Sequence, residues 1–274
     1  MDLREFPCFG VAGNFAGHLE QAGEAADFRN VVTAEPSAPK ALFPIYIPGR
    51  EDSFLAEFPI SGDTIRFPEN ADNLQIEPEI AVLFRVNYAG DQVLTLAAEC
   101  FGAFNDCSIR RPGARKISEK KNWGPCSKGF SQITVPVDVF APGGILDSYR
   151  IASFLIRDGV CHAYGVDSAA RNYSYMYGKL VEWITDRMNS QKDQGPAEDI
   201  HSMLLDLERP TTCLVTIGAT RYTEFGQANY LRRGDVSVVV VYSEKEYSPA
   251  QIAAAAESGR LDELGCPVLR QQVI

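Results

Sequence analysis

The sequence is poor in histidine and has no closely paired cysteines. Only three histidines occur among its 274 residues. Its seven cysteines are odd in number and scattered, and no two of them are spaced as Cys-x-x-Cys. Such spacings are typical of disulfide frameworks and of structural zinc sites. Neither is indicated, and we expect reduced thiols in a reducing compartment.

Long apolar runs and an excess of positive charge are also missing. No run reaches the roughly 18 apolar residues of a membrane span, and residues 1–7 lack the basic-then-apolar order of a signal peptide. A formal charge of −10 would repel nucleic acids and anionic membranes. We therefore expect a cytoplasmic protein that binds small molecules, with no nucleic-acid and no membrane partner.

Two kinds of catalytic signature are absent as well. The segment Gly10–Gly13 does not match the pattern G-x-G-x-x-G and follows no long strand, so we expect no nucleotide cofactor. No signature of a cysteine enzyme surrounds Cys107. Because buried free cysteine is common in protein cores, packing is the favoured interpretation of that thiol.

The sequence does contain enough apolar residues for a large core. Hydrophobic residues make up 45% of the chain, and its length allows one large domain or two small ones. The first seventy residues are rich in Gly, Ala and Pro, with loop-like segments at 34–39 and 47–52. We predict a lid or small subdomain over residues 1–70 and a catalytic domain over residues 71–274 with a C-terminal helical extension.

Short apolar runs of β type dominate from residue 76 onward and predict a sheet-rich core. These runs cover residues 80–86, 93–104, 132–140, 151–156, 212–217 and 236–242. Apolar residues at helical spacing predict a helix over residues 173–188. Ser248, followed by Pro249 and Gln251, is typical of a capped helix start and predicts a second helix near residues 252–257.

Two carboxylates open one of these strands, and a third closes the next. Glu77 and Glu79 precede the run at 80–86, and Asp106 follows the run at 93–104. Alternate side chains of a strand share a face, so Glu77 and Glu79 can approach one object together. Such a pair repels unless a cation lies between the two charges, and Mg²⁺, Mn²⁺ and Ca²⁺ prefer carboxylate oxygens.

A metal site is one interpretation of this pattern, and an exposed edge strand with paired acids is the other. The chain contains its own comparison, because Glu244 and Glu246 have the same spacing in a charged, turn-like stretch. That second pair is expected to be solvated. What distinguishes the first pair is the apolar strand directly after it.

The segments around these acids resemble the fumarylacetoacetate hydrolase superfamily. IEPEIAVL at 76–83 and AFNDCSIR at 103–110 are similar to its E-x-E-L-A-V-V and N-D-x-S-x-R motifs. Further segments resemble other blocks of the superfamily in the same order, up to about residue 242; they lie at 8–18, 121–129, 207–220 and 230–236. The resemblance implies a mixed, mostly β fold, a β-roll with a few packed helices, and a homodimer.

The resemblance also implies a divalent ion held by Glu77, Glu79 and Asp106. Mg²⁺ is the expected ion, with Mn²⁺ or Ca²⁺ as alternatives. Three carboxylates leave open positions on an octahedral ion, which could bind two oxygens of a 2-oxo or β-diketo acid. Such an ion stabilises the negative charge that develops when a C–C bond next to a carbonyl breaks.

Other residues take their implied roles from the same motifs. His18 matches the histidine that acts as general base, a role suited to a side chain whose pKa lies near working pH. Arg110 is expected to hold the substrate carboxylate, with a surface ion pair as the alternative. Lys121 is expected near the substrate oxygens, and Lys128 is a second candidate for that position.

One departure from the pattern leaves the reaction open. Many members carry a glutamate three residues after the histidine, where this chain has Gln21, while Glu20 lies one residue earlier. The leading hypothesis is a hydrolase that cleaves a C–C bond in a small β-diketo or acylpyruvate-type acid. The alternatives are an isomerase, hydratase or decarboxylase of 2-oxo acids, and a non-catalytic metabolite-binding or structural homologue.

Overall fold

Strands form most of the regular structure of the computed structural model, which describes residues 2–28, 31, 33–50, 52–71, 73–111 and 113–274. The strands are β1 (Cys8–Ala12), β2 (Ala41–Tyr46), β3 (Thr64–Ile65), β4 (Leu74–Gln75), β5 (Pro78–Ala89), β6 (Gln92–Asn105), β7 (Ser108–Ile109), β8 (Gly129–Phe130), β9 (Val135–Pro136), β10 (Tyr149–Arg157), β11 (Val160–Ala169), β12 (Thr212–Thr216), β13 (Val236–Ser243) and β14 (Val268–Val273). The α-helices are α1 (His18–Gln21), α2 (Tyr177–Ser190), α3 (Ile200–Asp206), α4 (Glu224–Ala228) and α5 (Pro249–Glu257).

Two sheets pack against each other around the main core. The larger has the order β2-β1-β12-β5-β6-β8, with β9 also paired to β6, and the smaller has the order β11-β10-β13-β14-β3. Strands β5 and β6 contact β10, β13 and β14 across the core, and α2 packs on β6. The predicted fold class, mostly β with a few packed helices, is confirmed.

Most of the predicted apolar runs lie within strands. The runs at 80–86 and 93–104 are the central parts of β5 and β6. The prediction of a strand over residues 132–140 is wrong for most of that range, because only Val135–Pro136 forms a strand. Pro136 has no N–H for a ladder, and Asp138 accepts hydrogen bonds from the N–H groups of Val139 and Ile145, which turns the chain away.

The sequence analysis did not predict four strands of ordinary length. Strands β1 and β2 contain Gly10 and Pro44, which weaken a strand pattern, and β11 is an edge strand whose apolar residues are interrupted by glycine and polar residues. Strand β14 carries the polar run Arg270–Gln272, yet Gln271 is fully buried and donates to backbone carbonyls near it. Pairing with neighbouring parts of the fold, and not local sequence, therefore determines that these segments are strands.

The two predicted helices are present. Helix α5 begins at Pro249 with the predicted capping box between Ser248 and Gln251. Helix α2 begins four residues later than predicted, because Asn14 holds the preceding segment in another conformation. The carbonyl and side-chain oxygens of Asn14 accept hydrogen bonds from the N–H groups of Ser174 and Tyr175.

Residues from the first seventy positions supply β1 and β2 to the larger sheet, where β1 runs parallel to β12 and antiparallel to β2. The division at residue 70 stays a prediction. In the described part of the chain, no helix has the length and the apolar character that crossing a membrane requires.

Gly10 allows β1 and β2 to pack closely beside the site described below. A Cβ added at Gly10 would lie 2.6 Å from Phe43 Cε2 on β2. Gly10→Ala should therefore lower the free energy of unfolding by about 1–3 kcal/mol through overpacking. The control Gly178→Ala, on α2 with nothing within 4 Å of the added Cβ, should be neutral or stabilise by up to about 1 kcal/mol. Urea unfolding measures both, and equal effects would contradict this account.

Candidate active site

The ladder between β5 and β6 brings the three predicted metal ligands together. Pro78 pairs with Asn105, so the residues flanking that pair meet at one end of the sheet. The N–H of Asp106 donates to the carbonyl of Glu77 at 3.0 Å. One carboxylate oxygen from each of Glu77, Glu79 and Asp106 lies within 4.8 Å of the others, and none of the three residues is more than 2% exposed. The alternative of an exposed edge strand is therefore excluded.

Asn105 and Gly218 fix these acids in place. Asn105 Oδ1 accepts from the N–H of Glu77 at 3.1 Å, while its Nδ2 donates to Gln271 Oε1 of the smaller sheet at 3.0 Å. The N–H of Gly218 donates to Glu79 Oε2 at 2.7 Å. Gly218 has φ +113°, a conformation that glycine adopts without strain.

Lysines lie on both sides of Asp106. Lys121 Nζ is 2.6 Å from Glu77 Oε2 and 2.6 Å from Asp106 Oδ2, so it bridges two of the three acids. Lys128 Nζ is 3.5 Å from Asp106 Oδ1 and also donates to the carbonyl of Cys107. Of the two candidate lysines, Lys121 lies closer to the carboxylate oxygens, and it also lines the cavity beside the acids.

Arg110 is buried and engaged by four protein groups. Its Nη1 lies 2.6 Å from Glu77 Oε1 and 2.9 Å from Glu24 Oε1. Its Nε donates to Gln75 Oε1 at 2.7 Å, and its Nη2 donates to the hydroxyl of Tyr222 at 2.7 Å. It is thus not a surface ion pair, and a substrate carboxylate would have to replace one of these partners.

His18 opens α1 and points into the same cavity. Its Nδ1 lies 2.9 Å from the carbonyl oxygen of Thr220. A carbonyl only accepts, so we assign the proton to Nδ1 and the free lone pair to Nε2. Burial lowers the pKa of His18 from its ordinary 6.5. The imidazole is therefore neutral at pH 7 and able to accept a proton.

The side chains of Gln21 and Glu20 do not face the cavity. The Gln21 amide pairs with the backbone of Tyr222, donating to its carbonyl at 3.1 Å and accepting from its N–H at 2.8 Å. Glu20 is exposed. Neither residue supplies an acid beside His18.

Glu24, which the sequence analysis missed, provides a carboxylate there. It lines the cavity with His18 and lies 2.9 Å from Arg110 Nη1 and 2.8 Å from Lys120 Nζ. Helix α1 is only four residues long, and the N–H of Glu24 then donates to the carbonyl of Leu19, which turns the chain back. The sequence carries no short-range signal for this role, because the partners of Glu24 lie 86 and 96 residues away along the chain.

The charges around the acids differ in their effects on protonation. Burial raises the pKa of Glu77, but Lys121 and Arg110 outweigh burial and hold that pKa well below its usual range. Burial, and then the charge of Asp106, raises the pKa of Glu79. Burial also raises the pKa of Asp106. The site therefore holds one firmly ionised carboxylate and two that gain from further positive charge.

The donor set fits a hard divalent cation. Among the described residues, Glu77 Oε1 and both carboxylate oxygens of Asp106 are buried and contact cationic groups of Arg110, Lys121 and Lys128. Three clustered, buried carboxylates are the ligands that Mg²⁺, Mn²⁺ and Ca²⁺ prefer.

Four of the six predicted site residues, His18, Glu77, Glu79 and Lys121, line one small cavity, and the other two contact these residues: Asp106 pairs with Lys121, and Arg110 pairs with Glu77. The cavity has a volume of about 20 Å³, and its polar lining is His18, Glu24, Glu77, Glu79 and Lys121. Phe28, Phe43 and Ile117 are among its apolar lining residues. A cavity of this size holds about one water molecule or ion.

Two other sequence interpretations can be compared with the structure. Cys107 is fully buried, and burial raises the pKa of its thiol to about 12, so it is a packing residue and not an ionised nucleophile. Glu244 and Glu246 are exposed, and Glu244 forms ion pairs with Arg150 and Arg171. The expectation that this pair is solvated is confirmed.

Comparison with protein families gives the chain a family but no function. Residues 24–273 match the model of DUF5718, a family of unknown function. The chain belongs to this family. No curated protein matches the DUF5718 chain.

Solved structures resemble the DUF5718 chain over nearly its whole length. A 5-carboxymethyl-2-hydroxymuconate delta-isomerase from Mycobacterium smegmatis has a TM-score of 0.54 at 14% identity, covering 98% of this chain and 78% of the isomerase. A 2-keto-3-deoxy-D-arabinonate dehydratase complexed with magnesium and 2,5-dioxopentanoate has a TM-score of 0.52 at 16% identity, covering 97% and 72%.

A third structure carries the name of the family that the sequence resembles. It is described as a fumarylacetoacetate hydrolase family protein from Yersinia pestis CO92, with a TM-score of 0.51 at 13% identity, and the match covers 98% of this chain and 93% of that one. Likeness at this level of identity establishes the fold. The fumarylacetoacetate hydrolase-like fold predicted for the DUF5718 chain is confirmed.

Removing the charge of Glu24 should destabilise the DUF5718 chain. Glu24→Gln leaves Arg110 and Lys120 buried without their shared carboxylate, which should cost roughly 3 kcal/mol. Burial raises the pKa of Glu24, but Arg110 outweighs burial and the folded-state pKa is lowered from 4.5. The stabilisation from Glu24 is therefore present above pH 4.5 and is lost as pH falls below it.

Urea unfolding between pH 3 and pH 7 measures this effect. The variant should show a smaller loss of stability with falling pH than the unmutated protein. Glu20→Gln, which changes an exposed glutamate nearby, is the matched control and should stay within about 0.5 kcal/mol. Equal stability of the two variants would contradict the role given to Glu24.

Proposed function

We propose that the chain is a divalent-metal-dependent hydrolase that cleaves a C–C bond in a small β-diketo or acylpyruvate-type acid. The observation that carries the proposal is the buried cluster of Glu77, Glu79 and Asp106, of which Glu77 and Glu79 line one cavity together with a neutral histidine and a lysine. A structural neighbour complexed with magnesium and a dioxo acid supports the same chemistry.

In this proposal, Glu77, Glu79 and Asp106 would hold Mg²⁺, with Mn²⁺ or Ca²⁺ as alternatives. When bound, a divalent ion would polarise the oxygens of the 2-oxo acid and stabilise the negative charge that develops on them. Burial raises the pKa of both Glu79 and Asp106, so an added positive charge would favour their ionised, metal-binding forms.

His18 would act on the attacking water. Its Nε2 takes a proton from the water while Nδ1–H stays on the carbonyl of Thr220. The hydroxyl oxygen bonds to the acyl carbon, the C–C bond breaks, and its electron pair passes to the leaving carbon. His18 returns the proton to that carbon, so that the products are a carboxylic acid and a 2-oxo acid. The charges of Glu77 and then Glu24 favour the protonated imidazole between these steps.

Lys121 and Arg110 would contribute charge beside the reacting atoms. The Lys121 ammonium lies at the cavity wall and would face a substrate oxygen once released from one of its two carboxylates. Arg110 holds Glu77 and Glu24 in position, and it would bind the substrate carboxylate by exchanging one of them.

An isomerase, hydratase or decarboxylase of 2-oxo acids is the second candidate. Glu24 is held by two cations, and its lowered pKa makes it a poor proton donor. His18 is then the main proton carrier of the cavity, an arrangement that also suits a proton transfer at carbon without water attack.

Metal binding tests the site itself. Calorimetric titration with Mn²⁺ should give one site per chain, and Glu79→Ala should weaken binding at least tenfold because it removes one of three carboxylate ligands. Glu246→Ala, which changes an exposed glutamate, is the control. Absence of Mn²⁺ binding by the unmutated protein would contradict both enzyme proposals.

Turnover then separates the reactions. We expect the Mn²⁺-loaded protein to cleave at least one acid from a panel of acylpyruvates, seen as loss of ultraviolet absorbance and formation of pyruvate and a carboxylic acid. Carbon dioxide release or tautomerisation without cleavage would favour the second candidate. Metal binding with no turnover across the panel would favour a non-catalytic binding protein.

Lys121 should compete with the metal for two of its ligands. Because its ammonium bridges Glu77 and Asp106, Lys121→Met should tighten Mn²⁺ binding, on the order of tenfold, while turnover falls. Lys116→Met, a half-exposed lysine that pairs with Asp193 outside the site, should change neither. Weaker Mn²⁺ binding in Lys121→Met would contradict the placement of the ion.

The pH profile tests His18. Since burial lowers its pKa from 6.5, kcat/KM should rise with pH along a limb centred below 6.5 and then level off. His18→Gln should lose that limb together with most of the activity, by about 10²–10⁴-fold. A limb centred above 6.5, or one that persists in the variant, would exclude His18 as the base.

A further inference from the structure

The helix that carries the proposed general base is too short to hold that residue in place by itself. Helix α1 spans only His18–Gln21, and no side chain caps its start at Gly17. A single helical turn fixes several residues for few hydrogen bonds, so it is marginal without outside contacts. The position of His18 therefore depends on the part of the protein to which α1 is attached.

Two side chains of α1 bond to the backbone of segment 220–222. His18 Nδ1 lies 2.9 Å from the carbonyl oxygen of Thr220. One turn later, Gln21 Nε2 donates to the carbonyl of Tyr222 at 3.1 Å, and Gln21 Oε1 accepts from the N–H of Tyr222 at 2.8 Å. Residues three apart share one side of a helix. Because two points of attachment fix an orientation that one leaves free, Gln21 prevents α1 from turning about the His18 bond.

The same segment is anchored to the strand that carries the acids. The N–H of Thr220 donates at 3.2 Å to the carbonyl of Pro78, which lies between the two glutamates of the acid cluster. The N–H of Val166 on β11 donates to the carbonyl of Arg221 at 2.8 Å. Two hydrogen bonds in series, from His18 to Thr220 and from Thr220 to Pro78, therefore set where His18 lies relative to the acids.

Tyr222 connects this attachment with Arg110, but more weakly. The Tyr222 hydroxyl accepts from Arg110 Nη2 at 2.7 Å, and the Tyr222 ring lies 5.3 Å from the His18 ring between centroids. Arg110 has three further partners, which are Glu24, Gln75 and Glu77. Loss of the Gln21 bonds should therefore displace His18 more than Arg110.

We propose that Gln21 is a positioning residue for His18, and that the Thr220 carbonyl takes the place of an acid partner for the imidazole. The inference rests on the proposed function. An amide is needed at position 21, because it both donates to and accepts from the backbone of Tyr222. An ionised glutamate only accepts. Introducing an acid at this position would therefore break the bond to the Tyr222 carbonyl and would impair the base.

The tautomer of His18 tests the proposal without turnover. Nitrogen NMR at pH 8 distinguishes an imidazole N–H from a bare nitrogen, and the spectrum of His18→Gln assigns the signals among only three histidines. We expect Nδ1–H in the unmutated protein. Gln21→Met, which lacks the amide, and Gln21→Glu should each give a mixture of the two tautomers, because the bond to Thr220 is no longer held. Glu20→Gln, which changes an exposed residue of the same helix, should keep Nδ1–H.

Turnover gives a second measurement. In both Gln21 variants, kcat for an acylpyruvate should fall on the order of ten- to hundredfold, as a misplaced catalytic group predicts, while KM changes less than about twofold. Mn²⁺ binding should be unchanged, since the β5–β6 ladder and not α1 brings the carboxylates together. Loss of Mn²⁺ binding in either variant would show that Gln21 serves the whole fold and would overturn the proposal.

Two further results would overturn it. One is an unchanged Nδ1–H tautomer in Gln21→Met. The other is a kcat in Gln21→Glu that equals or exceeds that of the unmutated protein, because an acid at position 21 would then act as the partner of His18. If the unmutated protein binds Mn²⁺ but turns over no acid, the proposed function fails, and the tautomer still tests Gln21, so the two failures are distinguishable.

Discussion

The burial of Glu77 between Arg110 and Lys121 is the interaction on which the rest of the site depends. One oxygen of Glu77 lies 2.6 Å from the guanidinium and the other lies 2.6 Å from the ammonium. Each of these two cations also pairs with a second acid: Lys121 pairs with Asp106, and Arg110 pairs with Glu24. An unpaired charge at such depth would cost several kcal/mol, so each group requires its neighbours. The β5–β6 ladder, which sets where Glu77 meets Asp106, is therefore a constraint on charge as well as on packing.

Charge balance explains why this arrangement suits chemistry. Four acids and four cations with buried side chains lie together, and these residues are Glu24, Glu77, Glu79, Asp106, Arg110, Lys120, Lys121 and Lys128. A divalent ion added to this cluster brings an excess of positive charge. That excess favours binding of an acid and stabilises the negative charge formed when a bond next to its carbonyl breaks. The same balance accounts for the competition expected between Lys121 and the ion.

The sequence predicted the parts of the site that short-range rules determine. Glu77, Glu79 and Asp106 flank two long apolar runs, and antiparallel pairing of those runs was enough to bring them together. Glu24 was not predictable in this way, because its position depends on a four-residue helix and a backbone turn that return the chain to Arg110 and Lys120. Strands with proline, glycine or buried polar residues were missed for a related reason: their partners, not their own residues, determine their conformation.

The central claim is that the three carboxylates bind a divalent ion. Crystals of the protein soaked in Mn²⁺ and measured near the manganese absorption edge would test it most directly. The account predicts one strong anomalous peak within about 2.5 Å of carboxylate oxygens from Glu77, Glu79 and Asp106, with Lys121 Nζ moved away from at least one of them. A peak elsewhere, or none while the Lys121 bridge stays in place, would contradict it.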